Sequence, residues 1–268
     1  MMYAIKADSR NVRATASLND VPLASLTGTN VGNVIEFAGR WLEDGENRLR
    51  ITVHGPSVLR GGDPGFVGSD GQPLGSALDE AEAWVQVHRL PPDFTGGEVN
   101  GEVVAEARWR IADVQGEPTF PTGAENRFLA AALPGMRWRN SRLPADPASA
   151  RPQLIAWLRG LAASLEQGDS NALVNAAEPG IRDTCAAIGQ NADQQLEGFR
   201  AMLQDEARGL RLLPFRDEDV RIEPIAYGRL LLCSRSDGTP LLRAGPGSAT
   251  DFEIEIRAGM ISNGWVMF

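Results

Sequence analysis

Lysine is almost missing from this chain. Of its 26 basic residues only Lys6 is lysine, and the other 25 are arginine. A Walker-type phosphate loop needs a lysine after its glycines, and a Schiff-base enzyme needs one as nucleophile, so both classes lose their central residue. Histidine is nearly as scarce. His54 and His88 each fall near a strand end, with no Cys or Glu at a spacing such as His-Glu-x-x-His, so no metal is expected. No Gly-x-Ser-x-Gly elbow or Cys/His pair offers a nucleophile, and no cofactor motif occurs, so no cofactor is expected. Cys185 and Cys233 are the only cysteines; both sit among apolar neighbours, where a thiol behaves as a small hydrophobe. Two cysteines do not make a disulfide scaffold, although a bridge between them stays open. No run of 18 apolar residues occurs, and the first ten residues lack the apolar core of a secretory signal. The expectation is a cytoplasmic protein that does not engage a membrane.

What remains is a globular, turn-rich and acidic composition. The 268 residues are 43% hydrophobic and 23% charged, and Gly and Pro supply 46 of them. The net charge is −9. Carboxylates outnumber basic residues 18 to 14 up to Leu143 and 16 to 11 from Pro152 onward, so both halves are acidic. Nucleic-acid affinity rests on phosphate neutralisation, so nucleic acid is not the expected partner. The same field steers a basic partner inward. Arg137, Trp138, Arg139 and Arg142 form the most basic patch; an aromatic among arginines can stack on a base, but a salt-bridged face is the simpler reading.

Arg142 to Pro152 holds three prolines and no apolar periodicity, which marks a linker. The expected organisation is two domains. Residues 1–143 form an all-β antiparallel sandwich, 144–151 a linker, and 152–268 an α+β domain in which helices precede a curled antiparallel meander.

In the first half Val12–Leu18, Arg48–His54, Ala81–Leu90 and Glu102–Ile111 alternate apolar and polar residues, as strands with one solvated face do. Gly45-Glu-Asn-Arg-Leu49, with Trp41-Leu42 before it, resembles the strand entry of Ig-like or galactose-binding β-sandwich modules, which implies architecture and no ligand. As a carbohydrate-binding sandwich, the weakest of three functional readings, the domain would want an exposed aromatic such as Trp41 or Trp84. Residues 60–75 are too glycine-rich for a regular element and read as a surface loop presenting Asp63, Phe66 and Asp70. The two aspartates lack EF-hand spacing. Residues 124–133 suggest a short helix and 136–139 a strand.

In the second half Pro152 suits the first turn of a helix carrying Leu154, Leu158, Leu161 and Leu165, with Gly168 as its stop. A short helix then ends before Glu178-Pro-Gly180, residues 181–188 add a further turn or two, and Asn191 caps a third helix with Leu196, Phe199, Leu203 and Leu210 on one face. Beyond Pro214 the period falls to two over 220–226, 229–235, 239–243, 251–257 and 260–267, with hairpin turns at 236–238 and 257–259. The closing strands, from Asp251-Phe-Glu-Ile-Glu-Ile-Arg257 to Gly264-Trp-Val-Met-Phe268, resemble those of NTF2-like or cystatin-like domains. NTF2-like chains place a strand between their early helices, and none is found here.

Asp251, Glu253 and Glu255 alternate with Phe252, Ile254 and Ile256, which sets three carboxylates on one strand face, and Asp217-Glu-Asp219 adds to the field. As acid and base they would need environments that separate their pKa values; as a partner-facing row they need nothing more. The expectation is a non-catalytic, bacterial-type protein that binds a possibly basic protein partner through acidic surfaces, by analogy with adaptors and toxin-neutralising immunity proteins. The alternative is a small-molecule binder or enzyme with a C-terminal pocket reached by Tyr227 or Trp265.

Overall fold

The computed structural model describes residues 2–28, 34–57, 80–91, 101–133, 135–144 and 146–268. Asp63, Phe66 and Asp70 lie outside them. The chain divides into two compact units, Met1–Leu133 and Pro134–Phe268. Every strand pairing is antiparallel.

Among the described residues the first unit holds eight strands: β1 (Met2–Arg10), β2 (Val12–Leu18), β3 (Val21–Leu26), β4 (Val34–Phe37), β5 (Gly45–Pro56), β6 (Glu82–Leu90), β7 (Glu102–Arg110) and β8 (Thr122–Ala130). They make two four-stranded sheets, ordered β4-β1-β6-β7 and β3-β2-β5-β8. Strict alternation decides which side chains fill the space inside. Val12, Ala14, Ala16 and Leu18 of β2, Leu49, Ile51 and Val53 of β5, and Val85, Val87, Ala105 and Ala107 of β6 and β7 are all buried. The short helix expected over 124–133 is not formed; β8 takes up most of that stretch and pairs with β5 from Val53↔Thr122 to Gly45↔Ala130. Its helix-forming Ala, Glu, Arg and Leu yield to a register that matches Glu125 with Arg50 and turns Phe128 inward.

The Gly-Glu-Asn-Arg-Leu entry has a physical basis. Asn47 is fully buried; its Oδ1 accepts from Glu43 N–H and Asn19 Nδ2, both at 2.8 Å, and its Nδ2 donates to the carbonyls of Glu43 and Gly45 at 3.0 Å. Asn19, at positive φ in the β2–β3 turn, donates to Trp41 O and accepts from Arg48 N–H. Two buried amides thus tie three turns together with every polar atom engaged.

The second unit begins with three helices in succession: α1 (Pro147–Glu166), α2 (Asn171–Ile188) and α3 (Ala192–Glu206). A sheet ordered β14-β13-β10-β9 follows, from β9 (Val220–Ile225), β10 (Leu230–Arg235), β13 (Ile256–Ile261) and β14 (Gly264–Met267), with a ribbon of β11 (Leu242–Arg243) and β12 (Glu253–Ile254). Leu154, Leu158 and Leu165 of α1, Leu173 of α2 and Leu203 of α3 share one core with Leu231, Cys233 and Ile256.

Five local expectations are corrected. α1 starts at Pro147, inside the stretch read as a linker, so Pro152 is not the helix start but lies inside it, beyond the first-turn N–H groups that need no intrahelical partner. Residues 137–140 form a 3-10 turn, not a strand. α2 runs straight through Pro179 instead of ending before it. At its neighbour Gly180 a Cβ would lie 2.6 Å from Phe268 Cα, so the helix needs a bare backbone where Met267 and Phe268 cross it. The 257–259 turn falls inside β13, and the hairpin closes at Ser262–Asn263, both at positive φ. Residues 251–257 are not one strand, because β12 pairs with β11 and β13 with β10.

Candidate functional site

The carboxylates singled out in the second unit all face solvent. Asp251, Glu253 and Glu255 are exposed, while Phe252 and Ile256 between and beside them are buried. The row survives the break between β12 and β13 because the alternation continues through it. Glu255 pairs with Arg257 at 2.6 Å. Asp251 and Glu253 meet no cation among the described residues.

The second acidic group is differently placed. Asp217, Glu218 and Asp219 form a 3-10 turn ahead of β9. Asp217 pairs with Arg159 at 2.5 Å, Glu218 with Arg216 at 3.1 Å, and Asp219 with Arg216 at 3.2 Å. The Arg216 side chain and its backbone N–H hold the Asp219 carboxyl below the usual carboxylate range. Arg151 also donates to the Asp217 and Val220 carbonyls, at 2.6 and 2.9 Å. This turn is internally neutralised, so its acids offer far less to a partner than the 251–255 row.

Tyr227 and Trp265 occupy different settings. Tyr227 is 48% exposed at the tip of the β9–β10 hairpin. Trp265 stacks against Trp157 of α1 with ring centroids 6.3 Å apart. A cavity of about 280 Å³ opens between α2 and α3, beside the buried Val174 and Leu196 and edged by Glu178, Arg182, Asp193 and Arg200; neither aromatic lines it. Arg182 spans its mouth, bonded to Glu178 at 2.7 Å and Asp193 at 2.9 Å.

The histidines lie in different sheets and are each occupied. His54 meets Thr15 Oγ1 at 2.8 Å, and His88 meets Gln86 Oε1 at 3.1 Å and Gly101 O at 3.3 Å. Burial and the neighbouring Arg13 push the His54 pKa down. Among the described residues no three His, Cys, Asp or Glu side chains gather as a metal would require. Both cysteines are free and buried, and burial pushes the Cys233 thiol up to about 12. Of the two tryptophans proposed for sugar binding, Trp41 is fully buried, which removes it. Trp84 lies half-buried on its sheet with the Arg108 guanidinium 5.8 Å from the ring.

No protein-family model, curated protein or solved structure matches the chain. Among the described residues no helix is long and apolar enough to cross a membrane.

One group escaped the sequence reading. Asp183, in the middle of α2, is 1% exposed and accepts from the backbone N–H groups of Arg137 at 2.9 Å and Trp138 at 3.1 Å, with Arg137 Nη1 at 3.4 Å. Burial pushes its carboxyl up, against the opposing pull of these donors and the guanidinium. It caps the 137–140 turn from 46 residues away. A polar residue on the buried stripe of a helix was the available signal.

Proposed function

We propose that this is a non-catalytic binding protein that recognises a basic protein partner through the Asp251–Glu253–Glu255 row. The observation that carries the reading is the contrast within one unit. The carboxylates of 217–219 are spent on arginines, whereas among the described residues Asp251 and Glu253 are exposed and form no ion pair, Arg243 facing Glu253 across the β11–β12 ladder and Phe252 and Ile256 being buried beside them. Charge held at a defined spacing on a rigid ribbon favours encounter and register with an oppositely charged surface. On this reading the first unit serves as a β-sandwich domain carried with the α+β binding domain.

The test is capture of partners from the native cell with the wild-type chain and with an Asp251→Asn, Glu253→Gln, Glu255→Gln variant, followed by affinity measurement on the retained protein. A basic protein held by the wild type and bound at least tenfold more weakly by the variant supports the reading. Equal retention by both overturns it. The α2–α3 cavity gives a second reading, a small polar ligand held against Val174 and Leu196, which requires binding that Arg200→Ala weakens and the triple variant leaves intact.

A further inference from the structure

The sheet β3-β2-β5-β8 ends on β8, and among the described residues no strand pairs with its outer edge. That edge is long and regular. Its ladder to β5 runs over nine residues, Thr122 to Ala130, without a register shift, and no proline lies inside it. Exposed edges are commonly blunted by shortness, a bulge or a proline, because their free N–H and C=O groups invite another strand. β8 uses none of the three. Asn126 does donate to Glu106 O of β7 at 2.8 Å, yet it stays exposed, so β7 does not close the edge.

The side chains of β8 suit one particular neighbour. With Phe128 buried, alternation sends Gly123, Glu125, Arg127 and Leu129 to the outer face, and all four are exposed. Leu129 is 81% exposed, the largest value among the apolar side chains that reach solvent in the described residues. A hollow of about 340 Å³ opens beside Gly123, edged by Arg50, Thr52, Pro121 and Glu125. One strand thus carries an apolar knob near its C-terminal end and a hollow near its N-terminal end, with an acid and a base between them.

We infer that β8 is a self-association edge, joining two copies of this chain through an antiparallel β8–β8 pair about a two-fold axis at Asn126. Such an axis, normal to the sheet, keeps like faces together, so odd-numbered residues meet only odd-numbered ones. Centred on Asn126, the pair overlaps all nine residues and sets Glu125 opposite Arg127 of the second copy. It also sets Leu129 opposite Gly123 of the second copy, beside the hollow. The next register on either side centres on Glu125 or on Arg127 and brings like charges face to face, which is destabilising. Within one chain Arg127 meets Glu46 at 2.8 Å and Glu125 at 3.3 Å, but at 59% exposure these are surface pairs worth little. Main-chain bonds carry the affinity of strand addition, so the charges set the register without having to be free.

The test is sedimentation velocity on the full chain over a dilution series, together with disulfide trapping. Wild type should run as a dimer that dissociates on dilution. Leu129→Lys and Arg127→Glu should each raise the dissociation constant at least tenfold; both side chains are exposed, so neither change disturbs the core. Both native cysteines are buried, which leaves an added thiol to report alone. Opposed Cα atoms in an antiparallel pair lie about 4.5–5.5 Å apart, within disulfide reach. Asn126→Cys should therefore oxidise to a covalent dimer, and adding Leu129→Lys should slow this at least tenfold. Leu129→Cys should not cross-link, because its offset from the same position of the second copy is about 20 Å along the strands. A wild type that stays monomeric at its solubility limit would overturn the inference. So would a dimer that Leu129→Lys and Arg127→Glu both leave intact, or trapping of Leu129→Cys as fast as that of Asn126→Cys.

Discussion

The two units treat surface charge in different ways. On the β3-β2-β5-β8 sheet, charges face each other across strands. Arg48 pairs with Asp20, Arg50 with Glu125 at 2.8 Å, and Arg127 with Glu125 at 3.3 Å and Glu46 at 2.8 Å. The Arg50 hydrogen bond, then Arg50 and its neighbours as charges, hold the Glu125 carboxyl below its ordinary range. In the second unit charge is matched less evenly: Asp217, Glu218, Asp219 and Glu255 are held by arginines, while Asp251 and Glu253 are exposed with no ion pair among the described residues. Cross-strand matching satisfies a surface locally; unmatched charge leaves it open to something outside. On the proposed function, recognition falls to the second unit.

The largest effects should come from the buried polar anchors, one in each unit. Asp183→Ala strips the acceptor from two backbone donors and a guanidinium, and is expected to cost about 3 kcal/mol in urea unfolding. Asn47→Ala leaves the Glu43 and Gly45 groups and Asn19 unsatisfied, at about 2–3 kcal/mol. A loss below about 0.5 kcal/mol in either would show that its turns hold without the anchor. Both cysteines lie in the second unit, so thiol labelling of native protein sharpens the contrast. Labelling of the buried Cys233 should be slow in the wild type and speed up more in Asp183→Ala than in Asn47→Ala; the reverse order would contradict the assignment of each anchor to its own unit.

Smaller effects are expected where charge is exposed. A double-mutant cycle on Arg50 and Glu125 should give a coupling of about 0.5 kcal/mol, fading at high salt. Glu253→Gln should change stability by less than about 0.5 kcal/mol. If Glu253→Gln proved as costly as Asn47→Ala, the acidic row would be structural. The smallest effect is that of His54. Its folded pKa is depressed, so its contribution is present above the ordinary histidine value and is lost as pH falls through the lowered one. Stability measured from pH 7 to 5 should decline slightly less steeply in His54→Gln, and identical slopes would remove His54 as a contributor.

Much of this architecture was legible wherever one face of a strand or helix meets the core. The alternation of Val12–Leu18 and Leu49–Val53, the leucine stripe of α1 and the Asn191 cap, which accepts from Asp193 and Gln194 N–H, are properties of short segments. Features set by distant contacts were not legible. β1 is poorly marked in the sequence: its Tyr3, Ile5 and Ala7 alternate, but Ala4 between them is buried as well, so no clean polar face appears. Glu178-Pro-Gly180 carries the local mark of a helix end, yet the crossing of Phe268 gives it another purpose. At the candidate site the outward aim of Asp251, Glu253 and Glu255 followed from period two. The absence of an ion pair at Asp251 and Glu253 among the described residues, the Arg159 bridge to Asp217, and the arrival of Arg229 over Trp138 depend on how side chains are placed in three dimensions.

The most direct test is the equilibrium affinity of the basic protein captured by the wild-type chain, measured at several salt concentrations for wild type and for the Asp251→Asn, Glu253→Gln, Glu255→Gln variant. At least a tenfold loss and a shallower salt dependence are expected in the variant. Equal affinities with parallel salt slopes would contradict it.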